Sequence, residues 1–344
     1  MDRDLSSASE APLESSPPTW QTWAVWLLCL FALTYFQCRA MNLIETTYVD
    51  PTTLNFRASW GVVTGHPEWT HYQNRIAGPF LVLGLSKLTG LSYALCHKAF
   101  VFLVVYLANL TAFVLLSRIL RNRHAVYTFV LLTAASYAGV QKFGFNQDWD
   151  VIDFITMFIF AYGAFFGMSL AGLITLFFAQ LLNKESAAFI ALWIVIDALF
   201  PLGQIFSPRA LGRIALGIGL FAVGSGWTHF IREKLILAKP DESRFFLYHG
   251  EQIMIYKNVY DFFHPGFTAW MMEAILVALV VRYVWYKGLA SLHVQKMCLF
   301  LFCYIASIFV LGMFTETRDW FELVPFMIFL YLLPLGLARR HELP

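Results

Sequence analysis

The sequence predicts an all-α fold, a polytopic transmembrane helical bundle of about ten spans. Three observations carry this reading. Of the 344 residues, 59% are hydrophobic and 13% charged, where an ordinary globular domain has roughly 25% charged residues. The mean hydropathy is +0.62. The 34 Phe and 11 Trp residues bring more apolar surface than a soluble fold of this length can hide. A cytosolic enzyme, a disordered chain and a disulfide-rich secreted domain are thereby excluded. The net charge of +2 gives no electrostatic footprint for nucleic acid. Cys29, Cys38, Cys96, Cys298 and Cys303 all lie in or beside apolar runs without CxxC spacing, as buried thiols do.

A crossing needs about 20 mostly apolar residues, each rising ~1.5 Å through a ~30 Å hydrocarbon core. Ten stretches meet or approach that length: 20–40, 95–117, 125–141, 150–166, 168–182, 186–202, 210–229, 267–286, 297–314 and 320–338. Ahead of them, residues 1–19 are polar and rich in Ser, Pro and Glu without a basic leader, which reads as a disordered cytoplasmic tail. The segment 76–90 holds Gly78, Pro79, Gly84 and Lys87 and is short for a crossing, so it reads as an interfacial helix. The transmembrane domain is then 20–338, with a first outer loop at 41–94, a second long outer loop at 230–266 and a cytoplasmic tail at 339–344.

Ten spans put the basic turns on one face: Arg118, Arg121 and Arg123, then Arg209 and Arg213, then Lys287 and Lys296, then Arg339 and Arg340. By the positive-inside rule that face is cytoplasmic and both termini lie on it. The polar, motif-like sequence falls on the other face, which is where a site is expected.

The candidate site residues follow from that topology. Glu45 comes soon after the first span, and Asp50 follows it. A carboxylate there can act as a general base on a hydroxyl acceptor or ligate a divalent cation. His66 and His71 are five apart, a spacing with no metal geometry of its own. Asp148, Asp150 and Asp153 open the span at 150–166. An acid there either complements the helix macrodipole or, for Asp153 just inside the apolar boundary, needs a partner or water. In Asn183-Lys184-Glu185-Ser186, Asn183 has the side chain of a helix cap, whereas capping does not require the Lys184 and Glu185 pair. Asp197 is a further acid within an apolar stretch. Glu316 and Arg318 precede Pro325; a guanidinium binds phosphate or carboxylate bidentately, or pairs with a neighbouring Glu. Gly217-Ile-Gly219-Leu-Phe-Ala222 has the loose spacing of a dinucleotide fingerprint but no preceding strand, so close helix packing is the expectation.

Several of these strings recur together. His71-Tyr-Gln-Asn-Arg75-Ile-Ala-Gly-Pro79 resembles the Y-x-x-R-x-x-x-P segment of a group of bacterial membrane proteins. Asp148–Asp153, Asn183-Lys-Glu-Ser186 and Glu316-Thr-Arg318 followed by Pro325 are similar to further segments of that group. The wider resemblance is to the GT-C fold glycosyltransferases, multispan enzymes that take a sugar from a polyprenyl-phosphate carrier on the outer face of the membrane. That resemblance implies a catalytic acid at Glu45 or Asp50 and a juxtamembrane helix at 76–90. It also implies a lipid-phosphate site drawing on Arg75, Lys184 and Arg318, with Asp148, Asp150, Asp153, Glu185 and Glu316 as further substrate-binding residues. The implied partners are membrane lipid, a polyprenyl-phosphate-linked sugar and envelope assembly proteins, and the implied location is a bacterial inner membrane. No resident cofactor is implied beyond a divalent cation. The alternatives are a transporter or flippase of a lipid-linked or anionic solute, using Asp153, Glu185 and Asp197, and a non-catalytic subunit of a polysaccharide assembly.

Overall fold

A computed structural model describes residues 20–48, 59–66, 75–120, 122–140, 148–231, 267–311 and 322–335, with 259, 263 and 320. The two tails, Asp50, Glu316 and Arg318 lie outside the described residues, as do the side chains of Glu45 and Asp148. Among the described residues the chain is helical with no strand. Its helices are α1 (Trp20–Tyr48), α2 (Ala77–Thr89), α3 (Tyr93–Ile119), α4 (Arg123–Val140), α5 (Asp148–Phe166), α6 (Leu170–Leu181), α7 (Ala187–Leu199), α8 (Pro208–Phe230), α9 (Phe267–Lys287), α10 (Leu292–Leu311) and α11 (Val324–Leu332). Each apolar stretch read from the sequence thus contains a helix.

Length divides these helices. Five apolar segments among the described residues are long enough to cross a membrane: Trp20–Ala40, Tyr93–Ile119, Trp149–Phe166, Pro208–Phe230 and Leu292–Val310. Helices α2, α6 and α7 are apolar but have only 13, 12 and 13 residues, or about 18–20 Å each. The outward surface is apolar too. Leu28, Phe31 and Phe36 of α1, Ile218 and Phe221 of α8, and Val277 and Val281 of α9 are all exposed. Such contiguous apolar exposure needs lipid rather than water, and the chain is an integral membrane protein.

The helix starts are written locally. Ser92 Oγ accepts from Leu95 N at 3.3 Å to open α3. Ser169 Oγ accepts from Gly172 N at 3.1 Å to open α6. Ser207 Oγ accepts from Ala210 N at 3.2 Å to open α8, with Pro208 in the first position. Each hydroxyl satisfies a backbone donor that the helix leaves over. Between α5 and α6 the chain reverses at Gly167, whose φ of 90° suits a residue without Cβ.

Helix α5 is the most buried of the five helices long enough to cross a membrane. Of its apolar window 72% is buried, against 17% for α1 and 17% for α8. It packs on α3 to one side and on α6 and α11 to the other. Phe160 and Phe165 of α5 meet Phe326 of α11 edge-on or tilted at centroid distances of 5.7 and 6.3 Å, and Phe300 of α10 closes on Phe160 at 5.6 Å. A separate polar knot ties α1 to α3 and α4. Asn109 Nδ2 donates to Thr34 Oγ1 at 3.0 Å and to Gln37 Oε1 at 2.9 Å, while Gln37 Nε2 donates to the Ala134 carbonyl at 3.5 Å. Amide and hydroxyl contacts of this kind hold helices together where lipid offers no hydrophobic drive.

Helices α7 and α8 form the most extensive pair, and Gly217 is buried at their contact. A Cβ there would lie 2.5 Å from Val195 Cγ2 and 2.9 Å from the Ala191 carbonyl oxygen, whereas one at Gly219 would meet nothing within 4 Å. The glycine pattern therefore serves close packing through Gly217 and not through Gly219. Gly217→Ala is expected to cost about 1–3 kcal/mol, as overpacking does, and to lower the unfolding temperature in detergent. Gly219→Ala is expected to leave it unchanged.

Candidate functional site

The site is assembled from four places in the chain that connectivity brings to one end of the bundle: the segment before α2, the first turns of α5, the turn between α6 and α7, and the segment before α11. Its centre is Lys184. This residue sits in a run of short backbone bonds that leaves no room for a loop. Asn183 N and Lys184 N both donate to the Gln180 carbonyl at 2.8 Å, and Ala187 N donates to the Lys184 carbonyl at 3.3 Å. The turn is pinned to α2 by Ala77 N, which donates to the Leu182 carbonyl at 2.9 Å.

Lys184 Nζ lies 2.5 Å from Glu322 Oε1, 3.3 Å from Asp153 Oδ2 and 3.5 Å from Asp150 Oδ1. The carboxylates are almost wholly buried, and the lysine side chain is 11% exposed. Burial by itself would push the ammonium pKa down. Glu322, Asp153 and Asp150, in that order, outweigh it and hold Lys184 well above the usual lysine range, with Arg75 opposing them. The lysine is thus a fixed cation shared by three acids.

Around this centre the second partners are as specific as the first. Glu322 Oε2 accepts from Tyr304 Oη of α10 at 2.6 Å, so both of its oxygens are engaged. Asp153 Oδ1 accepts from Ser186 Oγ at 2.6 Å and from Gln180 Nε2. Gln180 Nε2 also reaches Ser186 Oγ at 2.5 Å, and Gln180 Oε1 accepts from Thr156 Oγ1. Asp150 differs, for its Oδ2 is buried without a hydrogen-bond partner among the described residues. A buried charge normally has both oxygens satisfied, so Asp150 Oδ2 is an acceptor held ready. Arg75 borders the set, its guanidinium carbon 5.5 Å from the centroid of the buried Trp149 ring. Counting formal charges, the set holds three acids and two bases.

Of the residues singled out from the sequence, Arg75, Asp150, Asp153 and Lys184 are gathered here. Glu185, next to Lys184, is half-buried and gives its backbone carbonyl to Ala188 N at 3.0 Å in the first turn of α7. Glu45 lies in the last turn of α1, and antiparallel connectivity through α3 and α4 puts that turn at the same end of the bundle as the start of α5. Asn183 does not cap α7. The cap position is Ser186, which makes no side-chain capping bond, because the i to i+3 bonds of the turn already occupy that position. Asn183 Nδ2 instead donates back to the Trp149 carbonyl at 2.8 Å, fastening the turn to α5. Asp197 is remote from this set, with Arg213 and Lys296.

Sequence reasoning missed Glu322, Tyr304, Gln180, Ser186 and Thr156 as site residues. Gln180 carried a signal: it is an amide in an apolar run, four residues before Lys184. Glu322 carried another, as an acid at the edge of an apolar run. Tyr304 carried none. Among the described residues no group of three or more His, Cys, Asp or Glu side chains is arranged to hold a metal ion.

The lysine is the interaction on which the three acids depend. Lys184→Met is expected to cost about 3–5 kcal/mol, since removing one partner strands buried charge. Adding Glu322→Gln to it is expected to recover part of that loss. The check is a double-mutant cycle of unfolding temperatures in detergent, which should show strong coupling between the two positions.

Comparison of the chain with protein-family models, with curated proteins and with solved structures finds no match.

Proposed function

We propose that the protein is a membrane-embedded glycosyltransferase of the GT-C kind, which moves a sugar from a polyprenyl-phosphate carrier to a hydroxyl acceptor. The observation that carries this reading is the convergence of Arg75, Asp150, Asp153, Lys184 and Glu322 at one end of an apolar bundle. Ionisable groups held in a membrane protein's interior are costly and mark function. A charged cluster at one end of an apolar bundle suits a substrate with a soluble head and an isoprenoid tail.

In this reading the ten apolar stretches are passes through the membrane, α2 lies at the interface, both termini are cytoplasmic and the charged cluster lies toward the opposite face. The location is a bacterial inner membrane, with envelope assembly proteins as the setting. Glu45 or Asp50, from the first outer loop, takes the proton of the acceptor hydroxyl as its oxygen bonds to the sugar C1. The bond from C1 to the carrier phosphate breaks, and polyprenyl phosphate leaves with the electron pair. Arg75 and Arg318 neutralise that phosphate. The charge of Lys184 is committed to three carboxyl groups, so its part is to hold Asp150 in place, with Oδ2 as an acceptor for a sugar hydroxyl. Asp148, Glu185 and Glu316 line the approach.

A second reading has its own observation. The chain of bonds from Thr156 through Gln180, Ser186, Asp153, Lys184 and Glu322 to Tyr304 is continuous, as in a proton-linked transporter of lipid-linked or anionic solutes.

The two readings separate in reconstituted vesicles supplied with a panel of radiolabelled polyprenyl-phosphate sugars and membrane-extracted acceptors. Transfer is expected to yield labelled product and free carrier phosphate. Asp150→Asn is expected to reduce turnover by about 100-fold or more, the low end of what positioned acid–base and polar groups contribute. Glu45→Gln or Asp50→Asn is expected to do the same. Undiminished product in Glu45→Gln, Asp50→Asn and Arg318→Ala together would overturn the assignment. Solute uptake with no covalent product would favour the transporter.

A further inference from the structure

The far end of α7 carries a second, oppositely charged set. Asp197 lies 13 residues beyond Lys184 (197 − 184), or about 20 Å along the helix axis. Its Oδ2 is 2.7 Å from Arg213 Nη2 of α8, and its Oδ1 is 2.7 Å from Lys296 Nζ of α10. One acid therefore faces two bases, and the set keeps a positive charge where the first keeps a negative one. Its three side chains are 20–27% exposed, open enough for a ligand and too enclosed for a freely solvated ion pair.

One donor here is unspent. Arg213 commits Nη2 to Asp197, yet its Nε is buried with no acceptor among the described residues. An unpaired buried donor beside surplus positive charge calls for an anion with several acceptor oxygens, which is the chemistry of a phosphate group.

The surroundings select the source of that phosphate. Arg213 and Lys296 sit about one turn inside the starts of α8 and α10, two helices with membrane-spanning windows. The flanking turns expose Leu202, Phe206, Leu289 and Leu292. Two bases near span ends, with exposed apolar side chains in the flanking turns, match the way lipid headgroups are held by membrane proteins. A water-borne anion would gain nothing from those side chains.

We propose that Arg213 and Lys296 together bind the phosphate headgroup of an anionic membrane phospholipid, with Asp197 as the internal counter-ion that the headgroup partly displaces. This site is independent of the cluster around Lys184. The test uses the full chain purified in neutral detergent, titrated with dioctanoyl phosphatidylglycerol, dioctanoyl phosphatidylcholine or inorganic phosphate, and read by thermal unfolding and native mass spectrometry. The anionic lipid is expected to bind saturably and raise the unfolding temperature. Arg213→Gln with Lys296→Gln is expected to weaken it by on the order of tenfold or more, since each basic side chain near anionic lipid contributes appreciably. Asp197→Asn is expected to tighten it, because the competing carboxylate is gone. Equal binding of phosphatidylcholine would overturn the proposal. So would an equal response to inorganic phosphate, which would make this a site for free anions. A loss of lipid binding in Asp197→Asn, parallel to the loss in the double variant, would also overturn it by reducing the cluster to a structural ion pair.

Discussion

One ammonium group shared among three carboxylates governs the interior of this protein. Lys184 draws together α5, the α6–α7 turn and the segment before α11, and it offsets the repulsion among its acid partners. Two like charges in low dielectric repel strongly, and the cost of bringing ions out of water is offset only when geometry and hydrogen bonding are nearly complete. The surrounding bonds supply that completeness at Glu322 and Asp153 and stop short of it at Asp150. A network satisfied everywhere would be a rivet. This one has an open valence, which is the physical basis for reading it as a site.

The helix packing is arranged to keep that network in register. Helix α5 carries Asp150 and Asp153 on its first turns and an aromatic ladder beyond them, so the acids are positioned by Phe160 and Phe165 packing on α10 and α11. Those two helices in turn deliver Tyr304 and, just before α11, Glu322. Displacing any one of the three helices would misplace acceptors and donors together. Close approach of α7 to α8 at Gly217 fixes the other side of the turn that bears Lys184.

Much of this was legible in the sequence, and the boundary of legibility has physical causes. Composition alone declared a helical membrane protein, because no water-soluble interior can absorb so many Phe and Trp residues. The positions of the helices followed from apolar runs, and Gly217 from the spacing of small residues. How many of the helices cross did not follow, since hydropathy windows cannot tell a spanning helix from the 12 residues of α6 or the 13 of α7. Asp150, Asp153 and Lys184 announced themselves as charges beside apolar runs, where an ion needs a partner. Glu322, the third acid on Lys184, lies 138 residues from it, and only the packing of α11 against α5 unites them. Tyr304 lies within an apolar stretch where a tyrosine is unremarked. Asn183 was misread for a simpler reason: local sequence offers a cap, and a tight turn with its own backbone bonds had already taken the position.

The brevity of α6 and α7 has a bearing on the bilayer itself. Two neighbouring helices of about 18–20 Å cannot match a hydrocarbon layer of ~30 Å, and such mismatch is relieved by thinning the surrounding lipid or admitting water. In the ten-span reading proposed above, the turn that joins them, Asn183–Ser186, would sit at the floor of a dimple, at a depth where an ordinary phospholipid keeps only methylene groups.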